Sequence, residues 1–417
     1  MSETAVADAT QTGMFDQIAG REKKYVLQNY GRYPLAIERG KGSYVYDFSG
    51  RKYLDLITGI GVNAVGHAHP RMMRVLKQQA GRLIHCSNLY YHEYQGLLAE
   101  KIAQVSGLDR TFFCNSGTEA MEGAIKMMRA HGHRIDPGNK FEIVSFENSF
   151  HGRSTGALAL TGQLKYRKDF EPLMPGVKFV PFNDVAALES AVSDRTCGIA
   201  IELVQGEGGV HPASEAVVRK ARELADRYNA LLVFDEIQCG VGRPGVHFAY
   251  QLFDPVVLPD VMVAAKPLAA GLPLGIVTVN EKAAGTLPPG MHGSTFGGGA
   301  LACRLAYEFF LMLDDLLPVI RERSAYFARK LDALRRKYSF IREVRIRGLM
   351  IGIELAMPGK DLVAQAMAHG LLINCTHETV LRFLPPYTIS EKEIDQAIRI
   401  LDKVFKAVPS GPASPTA

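Results

Sequence analysis

Short apolar runs punctuate the middle of the chain at Thr111–Cys114, Glu142–Phe146, Ile199–Leu203, Leu231–Phe234, Val261–Ala264 and Ile276–Val279. Their polar positions do not alternate with the apolar ones, which is the pattern of strands buried on both faces. Between them lie helical spacings. In Glu119–Arg129, Met121, Ala124, Ile125 and Met128 fall at i, i+3, i+4 and i+7, one face of a helix. This alternation predicts an α/β domain built on a largely parallel sheet. A helix over Leu301–Leu313 and a charged helix over Val319–Arg336 follow. The final portion, Ile341–Phe405, carries strands at Ile351–Leu355 and Val380–Phe383 and a closing amphipathic helix, and so predicts a smaller α+β unit. Near the start, Tyr44–Phe48 and Tyr53–Ile57 flank Ser49-Gly50-Arg51-Lys52, a hairpin whose turn Gly50 suits. Residues 1–12 are expected to be a loose polar arm, and the Pro- and Gly-containing tail 409–417 to be disordered.

Composition narrows the function classes. The 417 residues are 47% hydrophobic and 22% charged, which is globular rather than disordered. The net charge of +5 comes from 48 basic and 43 acidic side chains, too thin an excess for a nucleic-acid surface. Met1 to Gly13 holds no Lys or Arg and no apolar core, so no secretory signal is expected there. The longest uncharged apolar stretch, Pro267–Val279, is shorter than the roughly 20 residues that span a bilayer. The six cysteines are widely separated, with no C-x-x-C pair. That excludes a disulfide framework or zinc knuckle and fits reduced thiols in a cytoplasmic protein. His67-x-His69 and His131-x-His133 lack further ligands at useful spacing, so no metal is expected.

Ligands of open α/β sheets bind at the carboxyl ends of the strands, so the residues after each run matter most. Asn115-Ser116-Gly117-Thr118-Glu119 follows the first run. Ser116 and Glu119 fit a capping box, and the free N–H groups that open the helix fit a phosphate cradle. Asp235 ends a buried strand, where a carboxylate needs either an arginine or another cation, such as a protonated heterocycle. Lys266 stands alone in an apolar stretch, either snorkelling or desolvated as a Schiff-base nucleophile. Gly240-Val241-Gly242-Arg243-Pro244-Gly245 fits G-x-G-x-x-G, but it sits too far past its strand and opens no helix, so dinucleotide binding is rejected. An anion cradle, a strand-end acid and a desolvated lysine in one α/β domain match the needs of pyridoxal 5'-phosphate (PLP).

Longer stretches sharpen this. Glu38-Arg-Gly-Lys-Gly42, Leu83-Ile-His-Cys-Ser-Asn-Leu-Tyr90, Asn115-Ser-Gly-Thr-Glu119, Ser149-Phe-His-Gly-Arg153, Glu202-Leu-Val-Gln-Gly-Glu-Gly-Gly209, Asp235-Glu-Ile-Gln238, Ala265-Lys266, His292-Gly-Ser-Thr-Phe-Gly-Gly298 and Leu381-Arg-Phe-Leu-Pro-Pro386 together resemble the class III aminotransferases of PLP fold type I. The likeness is to their acetylornithine group and covers about residues 25–405. It implies a large PLP-binding domain over 69–305 and a small domain made of 13–68 and 306–408.

The resemblance also implies roles. Lys266 carries the cofactor as a Schiff base and shuttles the substrate proton, and Asp235 pairs with the ring nitrogen. Gln238 lies by the phenolic oxygen, and Phe150 stacks on the ring. Ser116, Gly117 and Thr118 belong to the phosphate site, which Thr295 reaches from the other subunit of a homodimer with shared active sites. Arg153 holds the carboxylate of an acylated diamino acid. Arg382 takes the α-carboxylate of glutamate or 2-oxoglutarate, with Glu207 as its switchable partner. The implied reaction is ω-transamination of N²-acetylornithine to 2-oxoglutarate in arginine biosynthesis. Ornithine, succinylornithine and 4-aminobutyrate aminotransferases are alternatives, as are a PLP aminomutase or decarboxylase and an inactive binding protein. Free-ornithine relatives carry a bulky aromatic near Gly59, so Gly59 is expected to leave room for an acyl chain. Departures from the pattern are Pro267 after the lysine, Gly299-Ala300 where Asn-Pro is common, and Cys239 and Pro244 where Thr is frequent.

Overall fold

A computed structural model describes residues 3–408, with side chains from Gly13 onward. Its centre is a seven-stranded sheet in the order Arg110–Cys114, Gly275–Val279, Val261–Ala264, Leu231–Asp235, Thr196–Glu202, Glu142–Phe146, Val177–Val180. Neighbours from Val261–Ala264 to Val177–Val180 are parallel, whereas Gly275–Val279 runs antiparallel to both strands beside it. Every residue of the four strands Glu142–Phe146, Thr196–Glu202, Leu231–Asp235 and Val261–Ala264 is buried. Helices cover both faces, which is why apolar residues fill successive positions in these runs instead of alternating with polar ones. The Val177–Val180 strand is absent from the sequence reading. It is a partly buried edge strand boxed between Gly176 and Pro181, too short and mixed to carry a period. The helix read around Glu119–Arg129 extends over Gly117–Ile135 and buries Met121, Ala124, Ile125 and Met128.

The smaller unit holds an antiparallel sheet ordered Ile341–Arg347, Met350–Leu355, Val380–Phe383, Asn374–Thr376. Leu371–Leu372 instead joins Lys52–Asp55 in parallel, extending the sheet of Ile37–Lys41, Tyr44–Asp47 and Lys52–Asp55. Both chain ends therefore share one sheet. The closing helix, Glu391–Lys406, starts from a complete capping box of Ser390 and Glu393.

Two expectations are corrected. Residues 3–12, read as a loose arm, belong to a helix over Glu3–Tyr25. Ala5, Ala7 and Ala9 with no Gly or Pro before Gly13 favour helix, which outweighs the polarity of the stretch. The two helices read on either side of Pro318 are one helix, Ala300–Lys337. Pro318 is exposed, so the Asp314 carbonyl that loses its helical donor can turn to water. The tail 409–417 lies outside the described residues. No helix among the described residues is long and apolar enough to cross a membrane.

Candidate active site

The parallel strands end on one edge of the central sheet, and the residues that follow them gather there. Asp235 closes its strand directly beside Glu202 on the neighbouring strand. Lys266 comes just after Val261–Ala264, and Gly117 opens the helix after Arg110–Cys114. With Thr118, Phe150, His151, Gly152, Arg153, Val204, Glu207, Ile237, Gln238 and Cys239 they line a cavity of about 230 Å³. Glycines let these segments approach. A Cβ on Gly117 would lie 2.8 Å from Ile237 Cγ2, and one on Gly152 would lie 2.3 Å from Thr118 Oγ1. Ser116 is a cap rather than a wall. Its Oγ accepts from Glu119 N at 3.2 Å, while the Glu119 carboxylate turns to Asn115 N at 2.8 Å and Asn115 Nδ2 at 2.9 Å. The capping box expected here is therefore one-sided, and the Gly117 and Thr118 N–H groups at the helix start have no helical acceptor.

The cavity's charges fall into two groups. At its floor, Asp235 Oδ2 meets His151 Nδ1 at 2.7 Å and Oδ1 accepts from Ile237 N at 3.0 Å. Burial alone would depress His151, but the hydrogen bond and charge of Asp235, helped by Glu202, raise its pKa instead. Glu202 accepts from Phe150 N at 2.9 Å and Gly206 N at 3.3 Å. Burial, partly offset by His151 and reinforced by Asp235, pushes its carboxyl up to about 7. Lys266 is half-buried, and desolvation lowers its ammonium pKa against the pull of Glu207 and Asp235. Behind the cavity-lining Glu207, Arg382 Nη1 bonds Glu207 Oε1 at 2.6 Å and Gln238 Oε1 at 3.1 Å, and Arg382 Nε bonds Asn374 Oδ1 at 3.3 Å. Burial would raise Glu207, but the Arg382 guanidinium overrides it and holds the carboxylate below its usual range. Arg153 is exposed, lies 4.2 Å over the Tyr166 ring and makes no ion pair among the described residues.

Known proteins place the chain in a family. The family described as aminotransferase class-III matches residues 25–405. The chain belongs to the class-III aminotransferases. It is 49% identical over 389 residues to the acetylornithine aminotransferase of Methanocaldococcus jannaschii, covering 93% of this chain and 97% of that one. It is 45% identical over 383 residues to the acetylornithine aminotransferase of Aquifex aeolicus, covering 91% and 100%. Among solved structures, the ornithine aminotransferase of Toxoplasma gondii ME49 superposes with a TM-score of 0.89 at 32% identity, covering 96% of this chain and 98% of that one. The N-acetylornithine aminotransferase of Stenotrophomonas maltophilia K279a gives 0.80 at 32%, covering 93% and 98%.

Class-III aminotransferases use PLP, and the cavity of this one fits it. A glycine-lined helix start offers N–H groups to a phosphate. Cavity-lining His151 keeps Nε2 buried with no partner among the described residues, and Asp235 and Lys266 share the cavity with it. Of the residues picked from sequence, Gly117, Thr118, Phe150, Arg153, Glu207, Asp235, Gln238 and Lys266 meet in the cavity, with Arg382 behind Glu207. Thr295 does not. It is exposed, on a segment tied by Asn88 Nδ2 to the carbonyls of Ser294 at 3.1 Å and Gly297 at 2.9 Å. Gly59 also lies elsewhere, lining a separate cavity with Tyr33 and Met367, so it carries no argument about the acyl chain. His151 and Glu202 were missed as site residues, although both stand inside motifs of the resemblance. Among the described residues no His, Cys, Asp or Glu cluster could hold a metal.

Proposed function

We propose that this enzyme transfers the ω-amino group of N²-acetylornithine to 2-oxoglutarate, yielding N-acetylglutamate 5-semialdehyde and glutamate. The Glu207–Arg382 pair on the cavity wall carries the reading. The site must admit an amine whose reacting carbon bears no charge, then glutamate, whose reacting carbon bears a carboxylate. A lone Arg382, 1% exposed, would be costly against the first substrate. Glu207 neutralises it then and swings aside for the second. The unpaired Arg153 at the mouth suits the carboxylate of the acylated amino acid. The names of the relatives above support the acetylornithine assignment.

Gly117 and Thr118 would hold the PLP phosphate, Phe150 the ring face, Gln238 the phenolic oxygen and Asp235 the ring nitrogen. When bound, PLP supplies a bond to the substrate nitrogen and a sink for the electron pair left as the substrate carbon loses its proton. Lys266 Nζ, freed of its proton more readily by desolvation, would take the proton from the substrate carbon and deliver it to the cofactor carbon on the far side of the nitrogen. Asp235, oriented by His151 Nδ1 and Ile237 N–H, would face the ring nitrogen, and Glu202 fixes the Phe150 main chain through its N–H.

We further infer a cytoplasmic homodimer with shared sites. Leu83, Ile84, Leu89, Tyr90, Tyr91 and Phe296 are exposed around Thr295, an apolar face suited to a second copy that would receive Thr295 at its phosphate site. The Gly299 start of the following helix lacks a side-chain cap, and Leu301 N bonds Ile84 O at 3.2 Å, so the helix is capped from this same face.

A substrate panel tests the assignment: N²-acetylornithine, N²-succinylornithine, ornithine and 4-aminobutyrate, each with 2-oxoglutarate. The highest kcat/KM is expected for N²-acetylornithine. A preference for free ornithine would reassign the substrate, and turnover without 2-oxoglutarate would indicate an aminomutase or decarboxylase.

A further inference from the structure

Glu207 sits at the tip of a hairpin whose arms, Val204–Gln205 and His211–Pro212, pair antiparallel. The tip lies against the antiparallel small-domain sheet. Arg345, Gly352, Arg382 and Asn374 are successive partners in one transverse row of that sheet, so their side-chain positions share a face. Arg382 bonds the Glu207 carboxylate. Arg345, 6% exposed, instead grips the main chain. Its Nε and Nη2 donate to the Gly209 carbonyl at 3.0 and 2.8 Å. Glu343 and Glu354 hold the guanidinium at 2.5 and 2.6 Å. Gly352 leaves the gap between the two arginines, since a Cβ there would lie 3.0 Å from Val210 Cβ. From the sheet's far strand, Thr376 Oγ1 donates to the Glu207 carbonyl at 2.7 Å.

The gripped link is strained. Val210 is buried at φ 58, the left-handed region that a β-branched side chain resists. Such a conformation persists only where the surroundings impose it. An unstrained turn would need no clamp, and a residue serving only the ion pairs with Glu343 and Glu354 would not need two bonds to one carbonyl.

We propose that Arg345 is a positioning residue for the Glu207 gate. By holding the Gly209 carbonyl it keeps the Gly209–Val210 link in its strained form. The hairpin tip then stays seated, and only the Glu207 side chain is free to leave Arg382. This rests on the Glu207–Arg382 reading given above. Loss of the clamp lets the tip relax, so Glu207 neutralises Arg382 less well. The amine half-reaction then suffers while the glutamate half-reaction does not.

The test is single-turnover absorbance on the holoenzyme, reacting the aldehyde form with N²-acetylornithine and with glutamate separately. Four variants are compared with the parent: Arg345→Gln, Arg345→Lys, Arg345→Gln/Glu354→Gln and, as reference, Glu207→Ala. The double variant removes the cation together with a carboxylate that it neutralises, so it keeps the fold if the single one does not. The amine-to-glutamate rate ratio should fall roughly 5- to 30-fold in both Gln variants. The direction should match Glu207→Ala, with a smaller loss for Arg345→Lys. If Glu207→Ala shifts the ratio but the Gln variants do not, or if they slow both half-reactions equally, Arg345 is structural only and the clamp is overturned. If Glu207→Ala leaves the ratio unchanged, the gate reading itself fails and the clamp falls with it.

Discussion

Replacing His151 with leucine removes the partner of Asp235 at the floor of the cavity while keeping an apolar side chain of similar bulk. The two side chains are 0% and 3% exposed and 2.7 Å apart. Breaking such a buried pair from one side costs about 3–5 kcal/mol. Here Asp235 keeps the Ile237 N–H at 3.0 Å. The change also removes the unpartnered Nε2, whose burial by itself costs about 1–3 kcal/mol. The net loss is therefore about 2 kcal/mol in the apoprotein. It also depends on pH. His151 is raised above its ordinary value of 6.5, so the folded protein holds this proton more tightly than the unfolded chain does. The pair's contribution is complete below pH 6.5 and fades as pH climbs through the raised folded value. Thermal midpoints of the parent and His151→Leu apoproteins, measured from about pH 5 to pH 9, should show the widest gap at the acid end and a narrowing gap toward the alkaline end. A gap that is flat, or that widens with pH, would refute the charge pairing. Equal midpoints throughout would show that His151 is mere filling.

Lys266→Ala should abolish the PLP absorbance that borohydride reduction traps in the parent and lower turnover by orders of magnitude; label retained after reduction would point to another nucleophile. Glu207→Ala should slow the amine half-reaction by roughly 5–150-fold, the share of a buried unpaired charge left after partial hydration, while sparing glutamate. Arg382→Ala should do the reverse, and single-turnover spectroscopy that finds both halves equally slowed in both variants would make the pair structural. Gly152→Ala places a Cβ 2.3 Å from Thr118 Oγ1, and overpacking of about 1–3 kcal/mol should weaken PLP binding roughly 5- to 150-fold. Titration of the apoprotein followed by fluorescence checks this, and an unchanged Kd would remove Thr118 and Gly152 from the cofactor's surroundings.

The contrast between Lys266 and His151 shows what a linear reading can reach. Asp235 ends a buried, mostly apolar strand, and Lys266 comes just after another; Gly117 comes shortly after the Arg110–Cys114 strand. Burial on both faces writes itself into the chain, and the topology of parallel strands then sends all three to one edge. The Leu231–Asp235 and Val261–Ala264 strands were legible for the same reason. His151 and Glu202 were harder. Each earns its place from a neighbour far away in the chain, Asp235 for the first and the Phe150 and Gly206 N–H groups for the second. Nothing in local composition marks a histidine or glutamate that will lose its water. Pro318 misled for a related reason. A helix tolerates a proline more readily where the orphaned carbonyl can turn to water, and that depends on which face meets solvent.

By itself, then, the sequence determined the periodicities, the apolar strands and the chemistry-bearing residues at their ends, because these are consequences of local pattern and of the residues' own chemistry. Tertiary structure alone decided that His151 pairs with Asp235, that Arg345 grips the carbonyl of Gly209 from the same sheet row as Arg382, and that Gly59 lines a different cavity. Those outcomes depend on strand register and on the crossing of a hairpin from one domain over a sheet from the other. Both are set by the free energy of the whole packed chain, and no window of residues holds it.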